Sequence, residues 1–312
     1  MTLSVLRIIS RESPLAMWQA RHVREQLCAR HPQLNVEIIG ITTQADKFLD
    51  RSLASMGGKG MFVKELEQAL LENHADLAVH SMKDVTIDLP EELDLPVILK
   101  REDVRDVFVS NDFSELGELP QGARVGTSSL RRRCQLKALR PDLDILDIRG
   151  NVGTRLRKLD EGEFDALILA AAGVKRLELL DRVRAYLPVE ILMPAVGQGA
   201  LGLEIRRGDE QVLSFLAALD DEETHICVAA ERAFSKRLNG GCHAPVAAYA
   251  EVAGSEMSLF GLVGRLDGSE LVQASVHGAM SEALQLGDTL GTELLDKGAA
   301  EILRELIDDG NS

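Results

Sequence analysis

The sequence predicts an α/β protein: two similar α/β domains followed by a smaller α+β domain. Three observations carry this. Strand-like apolar runs alternate with amphipathic helical stretches over the first two-thirds of the 312 residues, the pattern of βα units around a largely parallel sheet. The apolar content is aliphatic, with only 8 Phe, 2 Tyr and 1 Trp, which fits such a sheet better than a β-sandwich. Beyond Asp220 the rhythm changes to one long helix, alternating strands and a closing helix. With 45% hydrophobic residues the chain has enough material for two or three cores.

The elements follow in order. Residues 6–10 (LRIIS) read as a strand. Ser13 then caps a helix whose first position is Pro14, and whose pattern runs to about Arg30. Residues 35–43 form the next strand. A glycine-rich loop, SMGGKGMF (55–62), leads into a helix over 62–74, and ADLAVHS (75–81) is a short apolar strand. From about residue 100 a second series begins. A strand at 123–126 enters the helix LRRRCQLKAL, 143–150 enters VGTRLRKLDEG, and FDALILAAAG (164–173) enters another helix. Residues 191–207 read as a strand returning the chain to the first domain. Helix 223–238, strands 246–254 and 257–265, and a helix over 287–307 complete the chain. The expected domains are 1–99 with 200–219, 100–199, and 220–312.

Composition excludes several classes. No run approaches the roughly 20 apolar residues a membrane span needs, and the first residues lack a secretory pattern, so a cytoplasmic protein with no membrane partner is expected. The four cysteines (Cys28, Cys134, Cys227, Cys242) show no metal spacing and are expected as reduced thiols. A net charge of −15 argues against nucleic acid as a partner. That charge is uneven. Residues 121–160 hold ten Lys/Arg and four Asp/Glu, a net of +6, which leaves −21 on the rest. A basic island on an acidic chain suggests a local anionic ligand.

Two glycine motifs are set aside. Gly197, Gly199 and Gly202 match G-x-G-x-x-G, but Met193-Pro194 precedes them and an extended stretch follows, where a dinucleotide site needs a helix. GGKG (57–60) lacks the Ser/Thr and the leading glycine of a P-loop.

The informative residues sit where strands give way to helices. Arg11 and Ser13 follow the first strand; Ser81, Lys83 and Asp84 follow 75–81; Thr127, Ser128, Ser129, Arg131 and Arg132 follow 123–126; Arg149 and Arg155 flank GNVGT. In open α/β sheets ligands bind outside the carboxyl ends of the strands, where helix N-termini, hydroxyls and guanidinium groups hold anions. Any one of these hydroxyls is more simply a helix cap, and any one arginine a surface charge. Their recurrence at four turns argues for a ligand with many carboxylates or phosphates. Asp84 has the opposite sign: a cap or arginine partner in the plain reading, a cation stabiliser or proton carrier in the other. His80, inside an apolar run, reads as a buried hydrogen-bonded residue. Cys242 follows Gly240 and Gly241 in NGGCHAPV (239–246), a loop that either carries it incidentally or presents a sulfur.

HSMKDV (80–85), VGTSSLRRRCQL (125–136), RGNVGTRLRKLD (149–160), MPAVGQGALG (193–202) and ERAFSKRLNGGCHAPV (231–246) together resemble the hydroxymethylbilane synthase, or porphobilinogen deaminase, family in register along nearly the whole chain. The resemblance implies two periplasmic-binding-protein-like domains with an interdomain cleft and a small third domain. It implies a monomeric transferase that condenses four porphobilinogen molecules head-to-tail, releasing ammonia, to give hydroxymethylbilane in heme biosynthesis. It further implies a dipyrromethane cofactor held by a thioether to Cys242, with Asp84 catalytic. Ser81, Lys83, Asp84, Thr127, Ser128, Ser129, Arg131, Arg132, Arg149 and Arg155 would contact the cofactor. Arg11, Ser13, Gln19, Arg149, Arg155 and Arg176 would contact substrate. Thr86 stands where the family commonly has proline, and Gln44, Ala45 and Ser55 make the 44–56 loop less basic, so no substrate role is assigned to that loop. The competing expectation is a non-catalytic two-domain anion sensor, which would need neither Asp84 nor Cys242.

Overall fold

In the computed structural model, which describes residues 5–42, 63–239 and 244–310 with side chains to 306, the chain opens on β1 (Val5–Arg11). Cys242 and the glycine-rich loop at 55–62 lie outside the described residues. Leu6 and Ile8 fill one face of the β1 sheet and Ile9 the other, so the strand is apolar on both sides, as a strand between helices must be. Ser13 then accepts a hydrogen bond from Ala16 N, and Pro14 opens α1 (Pro14–Arg30). β2 (Asn35–Ile41), α2 (Lys64–Leu71), β3 (Leu77–Ser81) and β4 (Leu93–Ile98) follow.

Later strands are β5 (Asp106–Val109), β6 (Arg124–Gly126), β7 (Asp144–Leu146), β8 (Ala166–Ala170), β9 (Ala185–Leu187) and β10 (Leu201–Arg206). Their helices are α3 (Leu130–Leu139), α4 (Val152–Asp160), α5 (Ala171–Arg176) and α6 (Glu210–Leu216).

The chain divides into two compact units, Met1–Glu102 with Ala200–His225, and Asp103–Gly199 with Ile226–Ser312. The first holds one five-stranded sheet, ordered β2-β1-β3-β10-β4, in which β2, β1 and β3 are parallel and β10 runs antiparallel to both neighbours. The second holds a sheet of order β7-β6-β8-β5-β9, with β7, β6 and β8 parallel and β5 antiparallel to both neighbours. The two sheets therefore repeat one plan, although the sequences show no close repeat. In each, the loops that follow three parallel strands and the start of one antiparallel strand share an edge.

The rest of the second unit is a three-stranded antiparallel sheet, β11 (Val246–Ala253), β12 (Glu256–Gly264) and β13 (Leu271–Ala279). Helices α7 (Glu222–Arg237), α8 (Ala283–Leu294) and α9 (Ala300–Gly310) accompany it, around Phe234, Leu259 and Leu290. Gly261 and Gly287 leave no room for a side chain beside Phe234 and α7, so here the close packing requires glycine. No helix among the described residues is long and apolar enough to cross a membrane.

Several expected boundaries are corrected. The strand expected at 143–150 is only Asp144–Leu146, because the chain then turns through Gly150 at φ 107°. The strand expected to reach residue 173 ends at Ala170, where α5 begins. Of residues 191–207 only Leu201–Arg206 is extended; Gly197 and Gly199 sit at φ 68° and 90° in a turn. The closing helix is two helices, since Gly298 at φ 114° breaks it. β4, β5, β9 and β13 carry no expected counterpart.

Candidate functional site

In the first unit, the parallel register Ile9↔Ala78 brings residues 11–13 and 81–84 to one edge, and the antiparallel register Leu201↔Ser81 brings the start of β10 there too. Arg11 closes β1. The Ser13 oxygen serves as the cap of α1. Gln19 is buried, and its Nε2 donates to Ser81 Oγ at 2.8 Å, so these two expected ligand residues are engaged with each other. Lys83 and Asp84 lie in a single 3-10 turn, Met82–Asp84, held by the buried Met82 side chain and by Met82 N donating to Ala200 O at 3.0 Å. Asp84 itself is exposed, and no hydrogen bond or ion pair ties its carboxylate among the described residues. His80 is buried as expected, with Nε2 2.8 Å from Glu204 Oε2. Burial pushes the Glu67 carboxyl up, and Glu204 adds to it.

In the second unit, β6, β7 and β8 deliver residues 127–129, 147–151 and 171–176 to one edge. Thr127 Oγ1 accepts from Ser129 N at 3.2 Å. Ser128 Oγ donates to Ile148 O. Ser129 Oγ accepts from Arg132 N and caps α3. Asn151 caps α4 through Thr154 N, and the Thr154 side chain occupies the space where a side chain at position 150 would fall. That crowding and the positive φ explain Gly150. Arg155 Nε donates to Gly150 O at 2.8 Å. Arg149 is one-third exposed, 3.6 Å from the Asp147 carboxylate. Arg176 is buried and donates to Gly199 O at 2.7 Å. The expected hydroxyls thus act as caps or turn bonds, and each keeps lone pairs or a proton for a ligand.

Arg131 and Arg132 are buried, not surface charges. Arg131 Nη2 lies 2.8 Å from one oxygen of Asp106 and Arg132 Nη2 2.6 Å from the other. Their second nitrogens donate to Met193 O and Ile168 O. Gln198 Nε2 adds a third contact to Asp106 at 3.0 Å. Burial alone would raise the Asp106 carboxyl; the arginines outweigh it and hold the group ionised, well below the usual carboxylate range. Other members of the basic island are paired with carboxylates, Arg140 to Asp142 and Arg157 to Glu161 nearby in sequence and Arg124 to the more distant Asp165.

Sequence reasoning missed Asp106, Glu204 and Glu231. Glu231 is buried, and accepts from Gly197 N at 2.7 Å and Ala250 N at 2.9 Å, joining the glycine turn to β11. The available signal was an acidic residue opening or interrupting an apolar run, as in DVFV and LGLEI.

The fold is that of an α/β protein whose two five-stranded sheets each gather hydroxyls, guanidinium groups and helix N-termini at one edge, groups suited to holding anions. Two family models match: residues 6–214 fit porphobilinogen deaminase, dipyromethane cofactor binding domain, and residues 225–296 fit porphobilinogen deaminase, C-terminal domain. The chain belongs to the porphobilinogen deaminase family. Its activity is that of a hydroxymethylbilane synthase, a transferase of tetrapyrrole synthesis that takes porphobilinogen as substrate and carries a dipyrromethane cofactor. Among solved structures, it is similar to the periplasmic aliphatic sulphonate binding protein SsuA from Escherichia coli, at 16% identity over 76% of this chain and 71% of that one, TM-score 0.40. It is also similar to the BvgS periplasmic VFT2 domain from Bordetella pertussis, at 17% identity over 74% and 92%, TM-score 0.42. Likeness of that extent leaves ligand and chemistry open.

The residues present fit a dipyrromethane. Each of its two pyrroles carries an acetate and a propionate. In the Asp106 cluster two guanidinium groups face one carboxylate, an excess of one positive charge, and the Nε atoms of Arg131, Arg132 and Arg133 are buried without a partner. A buried donor without an acceptor is costly, and a ligand carboxylate would relieve that cost.

Proposed function

We propose that Asp84 is the catalytic carboxylate and that Cys242 anchors the dipyrromethane through a thioether. In this reading Ser81, Lys83, Thr127, Ser128, Ser129, Arg131, Arg132, Arg149 and Arg155 hold the side-chain carboxylates of cofactor and growing chain. Arg11, Ser13, Gln19 and Arg176, with Arg149 and Arg155, receive porphobilinogen. When bound, the dipyrromethane supplies the nucleophilic pyrrole carbon from which the chain grows.

This chain's own residues do the rest. Loss of ammonia from porphobilinogen leaves positive charge on the substrate pyrrole. A carboxylate at Asp84 accepts hydrogen bonds from pyrrole N–H, favours that charge, and moves protons as ammonia leaves and as aromaticity is restored. The arginines orient and neutralise a chain that gains two carboxylates with each addition.

The observation that carries this reading is the contrast among carboxylates. Asp76 and Asp106 are each gripped by two arginines, whereas Asp84 sits exposed on a short turn with its oxygens untied among the described residues. The test is Asp84→Asn. It should keep the native circular dichroism spectrum and lose at least about 100-fold in turnover, the usual scale for a general acid-base group. Turnover near that of the unsubstituted protein removes Asp84 from the mechanism.

We further propose the division into domains 1–99 with 200–219, 100–199 and 220–312. A monomeric state, a cytoplasmic location and the lack of a nucleic-acid partner complete the reading; the charge of −15 supports the last.

A further inference from the structure

We propose that Asp106 is a positioning residue for the ligand arginines of the second unit. Its carboxylate sets the guanidinium planes of Arg131 and Arg132 so that their remaining N–H groups meet carboxylates of the polypyrrole. This rests on the reading above that Arg131 and Arg132 are ligand residues.

The argument starts with helix electrostatics. Arg131 and Arg132 occupy the first turn of α3, where the helix presents its positive end and cations are unfavourable. Helix stability gives no reason for two arginines there. They are nevertheless buried, and burying unpaired guanidinium groups would be prohibitive. Asp106 resolves this from another element. β5 runs antiparallel to β8, so the register Asp106↔Ala170 places the first residue of β5 at the edge where the parallel strands end. There the fully buried carboxylate gives one oxygen to each arginine, at 2.8 and 2.6 Å.

Each guanidinium is then held at two points, by Asp106 through one Nη and by a backbone carbonyl through the other, Met193 O at 2.6 Å and Ile168 O at 2.8 Å. A planar group held at two points has a fixed plane and a fixed direction for its remaining donors. Those donors include Nε of both residues, buried and without a partner. Two arginines also meet Asp76, but neither Arg7 nor Arg206 keeps a buried donor without a partner, as an ion pair serving the fold alone requires. The Asp106 cluster leaves two such donors.

The experiment compares the full-length protein with Arg132→Gln, Asp106→Asn and the double variant. The double variant has one arginine and no carboxylate in the cluster, so it keeps the net charge of the unsubstituted cluster, two arginines on one aspartate. Three readouts are taken: intact mass for the fraction carrying the cofactor, KM for porphobilinogen, and the thermal midpoint. Arg132→Gln is expected to lower the loaded fraction and raise KM about tenfold, the scale of one charge-assisted hydrogen bond. The double variant, melting close to Arg132→Gln, should load still less, with KM about tenfold higher again as Arg131 loses its orientation. Loading and KM in the double variant equal to or better than in Arg132→Gln overturn the proposal: equal values leave Asp106 without a part in binding, and better ones make it act through its charge alone. If Arg132→Gln loads and binds like the unsubstituted protein, the ligand-arginine reading fails and the proposal with it. If the double variant does not fold, Asp106→Glu decides: it keeps the charge and shifts the carboxylate by one methylene. Unchanged loading and KM there overturn the proposal; a loss of either supports it.

Discussion

His80 Nε2 lies 2.8 Å from Glu204 Oε2 in the first unit, with both side chains almost wholly buried and Glu204 Oε1 left without a hydrogen bond. The pair joins β3 to β10 just before the turn that carries Ser81, Lys83 and Asp84. Cutting a buried pair leaves the surviving partner desolvated and alone. Glu204→Ala is therefore expected to lower unfolding free energy by about 3 kcal/mol, read from urea denaturation. A midpoint equal to that of the unsubstituted protein would show that the pair contributes nothing to holding β3 and β10 together.

Acid should weaken the first unit through Asp76. Burial alone would raise its carboxyl, but hydrogen bonds and charge from Arg7, with Arg206, outweigh this and hold it below the ordinary value. A depressed carboxyl binds its proton more weakly when folded. Its contribution is full above the unfolded value of about 3.9 and is lost as pH falls through the depressed folded one. The stability gap between the unsubstituted protein and Asp76→Asn should thus be widest near neutral pH and shrink below about pH 4. A gap that stays constant from pH 7 to 3 would exclude this linkage.

The cysteines divide by burial. Cys28 is exposed, while Cys134 and Cys227 are buried, and burial pushes the Cys134 thiol up to about 11. Native protein treated with a maleimide near neutral pH should label at Cys28 and not at Cys134 or Cys227. After denaturation of the cofactor-loaded protein, three of the four cysteines in the sequence should label, because the proposed thioether blocks Cys242. Labelling of all four in fully loaded protein would rule that anchor out.

Arginines that look alike in sequence should behave differently. Arg157 pairs with Glu161 one helical turn on, at the surface, and Arg157→Gln should change KM and stability little. Arg149, only weakly paired at 3.6 Å, is free to meet a ligand carboxylate. Arg149→Gln should raise KM for porphobilinogen about tenfold. The same KM in both variants would remove Arg149 from the substrate residues.

Local chemistry was the legible part. Ser13-Pro14 announced α1, and Ser129 announced α3, because a cap and its helix lie within four residues. The four basic turns were legible as strand ends for the same reason. β13 was missed because LVQASVHGA carries few bulky apolar residues, and only pairing with β12 makes it a strand. The break at Gly298 was missed because glycine in a helical pattern is ambiguous until the backbone direction is known. Arg131 and Arg132 were assigned to the ligand, but their burial against Asp106 depends on an antiparallel strand that begins 25 residues earlier.

By itself the sequence determined the class of fold, the family and the kinds of groups at the strand ends. These are properties of short segments, carried by periodicity, capping and motif. Tertiary structure alone decided which charges are held and which are left over. Asp106, Glu204 and Glu231 acquire their partners through strand pairings and packing across 25, 124 and 34 residues. A charge in water says little about its partner. Once buried it must have one, and only the folded chain specifies which.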